Sequence, residues 1–148
     1  MPETAPAAGP TRATSARPRS YLALDLGTRR TGVAVGNTLL ERAQPLRTLR
    51  VQGAELVQQV RVLVQEWQPD ALVVGVPRHP DGAAHDHTRR AERFMRQLQA
   101  QVGLPVHGVD ERYTTVEALA QGAPDPDSAA AARILEQFLR NLPAHADA

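Results

Sequence analysis

The chain contains no cysteine and no lysine, has few aromatic residues, and has no long unbroken apolar run. Without cysteine there is no disulfide framework and no thiolate metal site, and the composition suits a reducing cytoplasm. No stretch approaches the ~18 apolar residues that would span a bilayer, so no membrane role is expected. With lysine absent, all 17 basic side chains are arginine. Arginine's planar fork suits phosphate, although a GC-rich coding bias gives the same usage. The acidic residues number 16, leaving a net charge of +1, so total charge alone does not mark a nucleic-acid binder.

Residues 1–19 contain no leucine, isoleucine, valine or aromatic side chain. Such a stretch buries too little apolar area to offset its ordering entropy and is expected to be a disordered tail. Its arginines stand without an apolar core segment, so it does not read as a secretory signal. Residues 20–142 provide one domain with enough length for a real core, and 143–148 read as a flexible C-terminus.

Within the domain, Tyr21 to Leu26 reads as a strand, with Tyr21, Ala23 and Asp25 on one face and Leu22, Leu24 and Leu26 on the other. A turn at Gly27-Thr28-Arg29-Arg30 returns the chain through Thr31 to Val35 as a hairpin. Gln44 to Val51 is a weaker third strand, with Pro45 tolerated at a start or an edge. Ala54 to Trp67 shows helical periodicity, Ala71 to Val76 is the continuous apolar run of a strand buried on both faces, and Thr88 to Val102 is a second helix closed by Gly103. Pro105 to Asp110 is a fifth strand, a short helix runs from Thr114 or Thr115 to Ala120, and a last helix from Pro126 to about Asn141. The order β-β-β-α-β-α-β-α-α implies an α/β fold: a mixed five-stranded sheet with helices on both faces.

Three acidic positions stand out by placement. Asp25 interrupts an apolar strand, and a buried carboxylate is costly unless a cation or hydrogen bonds compensate it. Asp110 and Glu111 follow the fifth strand, where a parallel strand delivers its C-terminal side chains to the working edge. Asp127 follows Asp125 at the N-cap and Pro126 at the first helical position, and it shares a face with Ala130, Ala131 and Ile134. Taken singly, each has a plain structural role: Asp127 as a helix-dipole partner, Asp110 and Glu111 as surface acids beside Arg112, Asp25 as an acceptor for its turn. Converging, they would suit a pair of divalent ions in phosphodiester hydrolysis, Mg²⁺ or Mn²⁺ rather than zinc.

The segments Asp25-Leu-Gly-Thr-Arg-Arg-Thr-Gly32, Val74-Gly75-Val76-Pro77 with Asp81-Gly82, Asp110-Glu111-Arg112-Tyr113-Thr114-Thr115 and Asp127-Ser128-Ala129-Ala130 resemble, in order, the YqgF/RuvX family. That family is described as Holliday junction resolvases and as pre-16S rRNA nucleases, and the likeness covers about residues 20–141. It implies a ribonuclease H-like fold and a cytoplasmic, divalent-metal-dependent endonuclease acting on branched DNA or on precursor 16S rRNA. It further implies Asp25, Glu111 (or Asp110) and Asp127 as the catalytic, metal-binding acids; strand parity alone leaves Asp110 and Glu111 both open. Two departures stand beside it. RuvC-type resolvases place an acid at the end of the fourth strand, where this chain has Gly75-Val76-Pro77, so the fifth-strand acids or Asp81 would have to substitute. The segment from Ala120 to Asp127 is short and carries no basic residue.

Nucleic acid would be met by Thr28, Arg29 and Arg30 on the hairpin turn and by Arg112 beside the acids. Arg89, Arg93 and Arg96 form a basic stripe on the second helix that suits either solvent or a phosphate backbone. His79, His85 and His87 share a loop whose spacing faintly suggests a metal but is more simply a solvated cluster. Resolving a four-way junction takes two symmetry-related cuts, which calls for a homodimer. The alternatives are a catalytically silent nucleic-acid-binding module in transcription or ribosome assembly, and an actin-like ATPase or sugar kinase, suggested by the Asp-Leu-Gly-Thr turn. The latter needs a second lobe that this chain has neither the length nor the motif to build.

Overall fold

Alternation along the first strand sets the layers of the molecule. The computed structural model describes residues 18–79, 81–111 and 125–142. Among them the elements are β1 (Ser20–Leu26), β2 (Thr31–Asn37), β3 (Ala43–Leu49), α1 (Gly53–Trp67), β4 (Ala71–Val76), α2 (Asp86–Val102), β5 (Val106–Asp110) and α3 (Pro126–Arg140). The expected helix from Thr114 or Thr115 to Ala120, the segment 120–124, Arg112, most of the N-terminal tail and residues 143–148 lie outside the described residues. Arg19, read as the last tail residue, already exchanges hydrogen bonds with Thr38: its N–H reaches the Thr38 hydroxyl, and its carbonyl takes the Thr38 N–H, both at 3.0 Å.

The strands form one mixed sheet in the order β3-β2-β1-β4-β5. β1–β2 and β2–β3 are antiparallel, and β1–β4 and β4–β5 are parallel. On one face Leu22, Leu24, Leu72 and Val74 pack against Leu56 and Val60 of α1 and Phe94 and Leu98 of α2. On the other, Tyr21, Ala23, Val73 and Val109 pack against Ile134, Leu135 and Phe138 of α3. Every residue of β4 is buried, as its unbroken apolar run predicts. Pro45 falls in β3, which is an edge strand, and the β2/β3 register shifts beside it, leaving Leu46 without a partner.

One helix start and one cap differ from the sequence reading. α2 begins at Asp86 rather than Thr88, because His85 and Thr88 cap it reciprocally: His85 Nδ1 accepts the His87 N–H at 3.1 Å, and the Thr88 hydroxyl accepts the His85 N–H at 3.1 Å. The Thr88 hydroxyl in turn donates to the Pro77 carbonyl, tying this helix start to the end of β4. At α3, Asp125 occupies the N-cap position but makes no side-chain cap. Its carboxylate instead accepts the Thr48 hydroxyl of β3, at 2.7 and 2.8 Å to its two oxygens. That hydrogen bond holds the Asp125 carboxyl below the ordinary carboxylate range.

The N-terminus of α3 is pressed onto the sheet at one point. A Cβ added at Gly32 would collide with the carbonyl oxygen of Asp127 and stand 2.9 Å from the Ser128 nitrogen. These are backbone atoms that no side-chain rotation can move aside. Gly32→Ala is therefore expected to destabilise the protein by roughly 1–3 kcal/mol or more, the cost of overpacking against an unyielding neighbour. Urea titration of the two proteins measures this; an unchanged midpoint would contradict the close approach.

Candidate active site

Asp25 lies on the α3 face of β1, two residues beyond the buried Ala23. Across the antiparallel ladder its partner is Gly32. On the parallel side the ladder pairs Leu24 with Val74, and one further residue brings Gly75 alongside. The acid is thus flanked on both strands by positions without side chains, and each gap is filled from elsewhere. The first turn of α3 enters over Gly32 and brings Asp127, while the carboxylate of Glu111 rests over Gly75, where a Cβ would collide with it and stand 2.6 Å from Ile134 Cδ1.

Glu111 reaches this place by strand alternation. Val109 faces α3 in β5, and Glu111 follows two residues on. Its N–H donates to the Val76 carbonyl at 3.0 Å, which carries the β4/β5 ladder past the formal end of the strand. Parity, left open by the sequence because a bend at the strand end could invert it, therefore continues unbroken and turns Glu111 inward. Asp110 is exposed, its carbonyl accepts the Gln137 side-chain amide at 3.4 Å, and it lines a separate cleft of about 580 Å³ with Tyr21, His107 and Phe138. Asp81 is also apart, its carboxylate accepting the Ala83 N–H at 2.8 Å.

The charges of the three inward acids act on one another. Burial, and then the charge of Asp127, push the Asp25 carboxyl up to about 6. Burial, followed by the charges of Asp25 and Asp110, pushes Glu111 up to about 8. Asp127 has a counter-ion: its Oδ2 lies 3.2 Å from Nε of Arg30. By donor chemistry, and by the glycine-lined bed in which they meet, these carboxylates fit a hard divalent cation. They are not gathered into a finished cage, however. Among the described residues no three His, Asp or Glu side chains are close enough to hold an ion together.

Beside the acids, the turn from β1 to β2 exposes Thr28, Arg29 and Arg30. It is closed by the Gly27 N–H on the Arg30 carbonyl at 2.8 Å. Arg90 of α2 braces it from outside, donating through Nη1 to the Gly27 carbonyl at 2.6 Å and through Nη2 to that of Thr28 at 3.4 Å. Sequence reasoning assigned Arg90 nothing, since it falls off the helix's basic stripe and its partners are backbone atoms 62 and 63 residues away. Arg89 and Arg93 are exposed as expected, as is Arg96. His79, His85 and His87 do stack edge to face, with centroids 4.6 and 5.5 Å apart, but His85 is engaged in capping α2. Arg112 lies outside the described residues.

Comparison with known proteins adds relatives to this geometry. A family model described as RuvX, Holliday junction resolvase, matches residues 19–141. The chain is 56% identical over 125 residues to a protein of Polaromonas sp. (strain JS666), covering 84% of this chain and 91% of the relative. It is 54% identical over 142 residues to one from Albidiferax ferrireducens (strain T118), covering 96% and 90%. Both carry the provisional name pre-16S rRNA nuclease. Among solved structures, RuvC of Thermus thermophilus in complex with a Holliday junction substrate matches with a TM-score of 0.59 at 16% identity, over 85% of this chain and 96% of that one. At such low identity the likeness concerns the fold, which is ribonuclease H-like as the resemblance implied, on the mixed five-stranded sheet that the element order implied.

The raised acids have a consequence for stability. A carboxyl whose folded-state value lies above its unfolded one, near 4, binds protons more tightly when folded. Its contribution is then fully present below about pH 4 and is lost as pH rises through about 6 for Asp25 and about 8 for Glu111. In buffers free of divalent ions, stability should therefore decline from pH 5 to 8.5. Glu111→Gln should flatten the decline, most clearly above pH 6. Denaturant midpoints across that range test this, and an identical slope in the variant would contradict it.

Proposed function

The chain belongs to the RuvX family, and from that membership we propose that it is a divalent-metal-dependent endonuclease hydrolysing phosphodiester bonds in structured nucleic acid. The substrate class that its relatives' names favour is precursor 16S rRNA; the family description and the fold it shares with RuvC add branched DNA. The observation that supports the reading is that three stretches of chain bring acids to one end of the sheet: Asp25 between two strand glycines, the Glu111 carboxylate over Gly75, and the α3 turn that carries Asp127 over Gly32. The charge of Asp127 is felt at Asp25, and that of Asp25 at Glu111.

In this reading Asp25, Glu111 and Asp127 hold the ion, and Mg²⁺ or Mn²⁺ suits their oxygens. When bound, such an ion activates water and neutralises charge on the leaving oxygen. The protein's own part is to fix the acids before the ion arrives. β1 holds Asp25 rigidly in the centre of the sheet, α3 delivers Asp127, and the extended β5 ladder delivers Glu111. With no cation present, Glu111 keeps its proton at neutral pH, because burial first, and then the charges of Asp25 and Asp110, raise its carboxyl to about 8. Asp110 stays at the rim, where its charge supports this protonation without meeting the ion.

Thr28, Arg29 and Arg30 stand exposed at the same edge and would meet the phosphates on either side of the scissile bond, with Arg112 following the fifth-strand acids. Acting on precursor rRNA or on chromosomal junctions would be work in the cytoplasm. Junction resolution would need two copies acting together.

Asp25→Asn preserves shape and hydrogen bonding but removes the central charge. It should lower Mn²⁺- or Mg²⁺-dependent cleavage by on the order of 100-fold or more, while folding and nucleic-acid binding are retained. The assay compares matched four-way DNA, single-stranded RNA and precursor-rRNA substrates. Cleavage by the variant at the wild-type rate would remove the metal assignment. Binding without cleavage by the wild type, in either metal, would favour a silent module.

A further inference from the structure

Resting on that reading, we infer that Arg30 is a built-in counter-ion of the acid cluster: it holds Asp127 in an ion pair that a divalent cation must displace, and is thereby freed to meet phosphate. The pair joins the two elements that close over Asp25, with Arg30 at the end of the β1–β2 turn and Asp127 in the first turn of α3. Its one close contact is Nε to Oδ2 at 3.2 Å, with about half of the Arg30 side chain exposed and 28% of that of Asp127. A single exposed contact of this kind is weak and easily exchanged.

The backbones on both sides are fixed, so the exchange is confined to side chains. The Arg30 carbonyl closes its turn on the Gly27 N–H at 2.8 Å, and Arg90 clamps the Gly27 carbonyl at 2.6 Å. The Asp127 carbonyl is wedged against Gly32. Neither chain segment can follow the other, and the charges can re-pair only by rotation of the Arg30 and Asp127 side chains. Among the described residues no such cation pairs with Asp25 or Glu111; burial comes first for both, followed by the charge of Asp127 at Asp25 and those of Asp25 and Asp110 at Glu111. Arg30 therefore neutralises Asp127, whose side chain is 28% exposed, and holds it out of a shared coordination sphere. A divalent ion gains Asp127 only by releasing Arg30, and the released guanidinium stands beside Arg29 at the edge where a phosphate backbone would lie. Cation and nucleic acid then favour one another's binding through a single side chain.

The test is Mn²⁺ binding to the metal-free protein without substrate, by titration calorimetry or by the electron paramagnetic resonance signal of free Mn²⁺. Arg30→Gln should tighten binding by roughly two- to fivefold, the span that measured exposed ion pairs allow. Arg29→Gln removes the same charge from the same turn without touching the pair and should give no comparable gain. Unchanged affinity in Arg30→Gln would overturn the inference. So would equal tightening in both variants, since that would mark a general field rather than a specific pair. Asp25→Asn separates the two levels of the argument. If wild type binds Mn²⁺ and Asp25→Asn does not, the metal site stands, whatever Arg30 does. If none of the proteins binds Mn²⁺, the site itself falls and the counter-ion role with it.

Discussion

A carboxylate at the end of a buried central strand needs room beside it and an answer to its charge. Room comes from Gly32 and Gly75, the two residues abreast of Asp25 on the neighbouring strands. Any larger residue at either would fill the space with its own Cβ. As it is, one space admits the start of α3 and the other admits the Glu111 carboxylate. The answer to the charge is deferred. Among the described residues no arginine pairs with Asp25; the fold sets further acids near it, and burial and repulsion hold Asp25 and Glu111 well above their ordinary carboxyl values. The rest of the sheet, with its two apolar cores, is the frame that sustains this crowding.

Much of that frame is legible in the residues. Period-two alternation in Tyr21 to Leu26 sorts the two faces correctly, because each face packs on a different helix layer and a slip of one residue would exchange them. The unbroken apolar run of β4 reveals burial on both sides, and Asp127 betrays its inward setting by sharing a face with Ala130, Ala131 and Ile134, all buried. Other features depend on partners far away in the chain. Asp125 at a helix start beside proline reads as a cap, but the Thr48 hydroxyl, 77 residues away, draws its carboxylate across to β3. Arg90 becomes meaningful only once the turn carbonyls at Gly27 and Thr28 are placed against α2. The choice of Glu111 over Asp110 as the inward acid turns on whether the ladder continues for one more residue, and the Glu111 N–H bond to Val76 shows that it does.

That extra rung also accounts for the departure at the fourth strand. The resemblance leads one to expect an acid at the end of the fourth strand, where this chain has Gly75-Val76-Pro77. Gly75 pairs with Val109 in the parallel β4/β5 ladder, and Glu111, two residues beyond, faces the same side and leans back over the gap. A carboxylate thus stands over this strand end although the strand itself supplies none. The glycine is then a requirement of the arrangement rather than the loss of a functional residue.

Stiff backbone and unsettled charge belong together at such a site. If the strands and the α3 start could relax, the acids would drift apart and their repulsion would vanish without any ion. Gly32 against the Asp127 carbonyl and Arg90 against the Gly27 carbonyl prevent that relaxation from either side. The repulsion is thereby held between side chains, where a cation can relieve it and where Arg30 relieves it in part. Like charges confined by a rigid frame bind a cation more strongly than the same charges on a yielding one, because no reorganisation of the frame subtracts from the attraction. By this argument the packing of two helix layers on a five-stranded sheet contributes to the acid site directly, by keeping three carboxylates where, left to themselves, they would not stay.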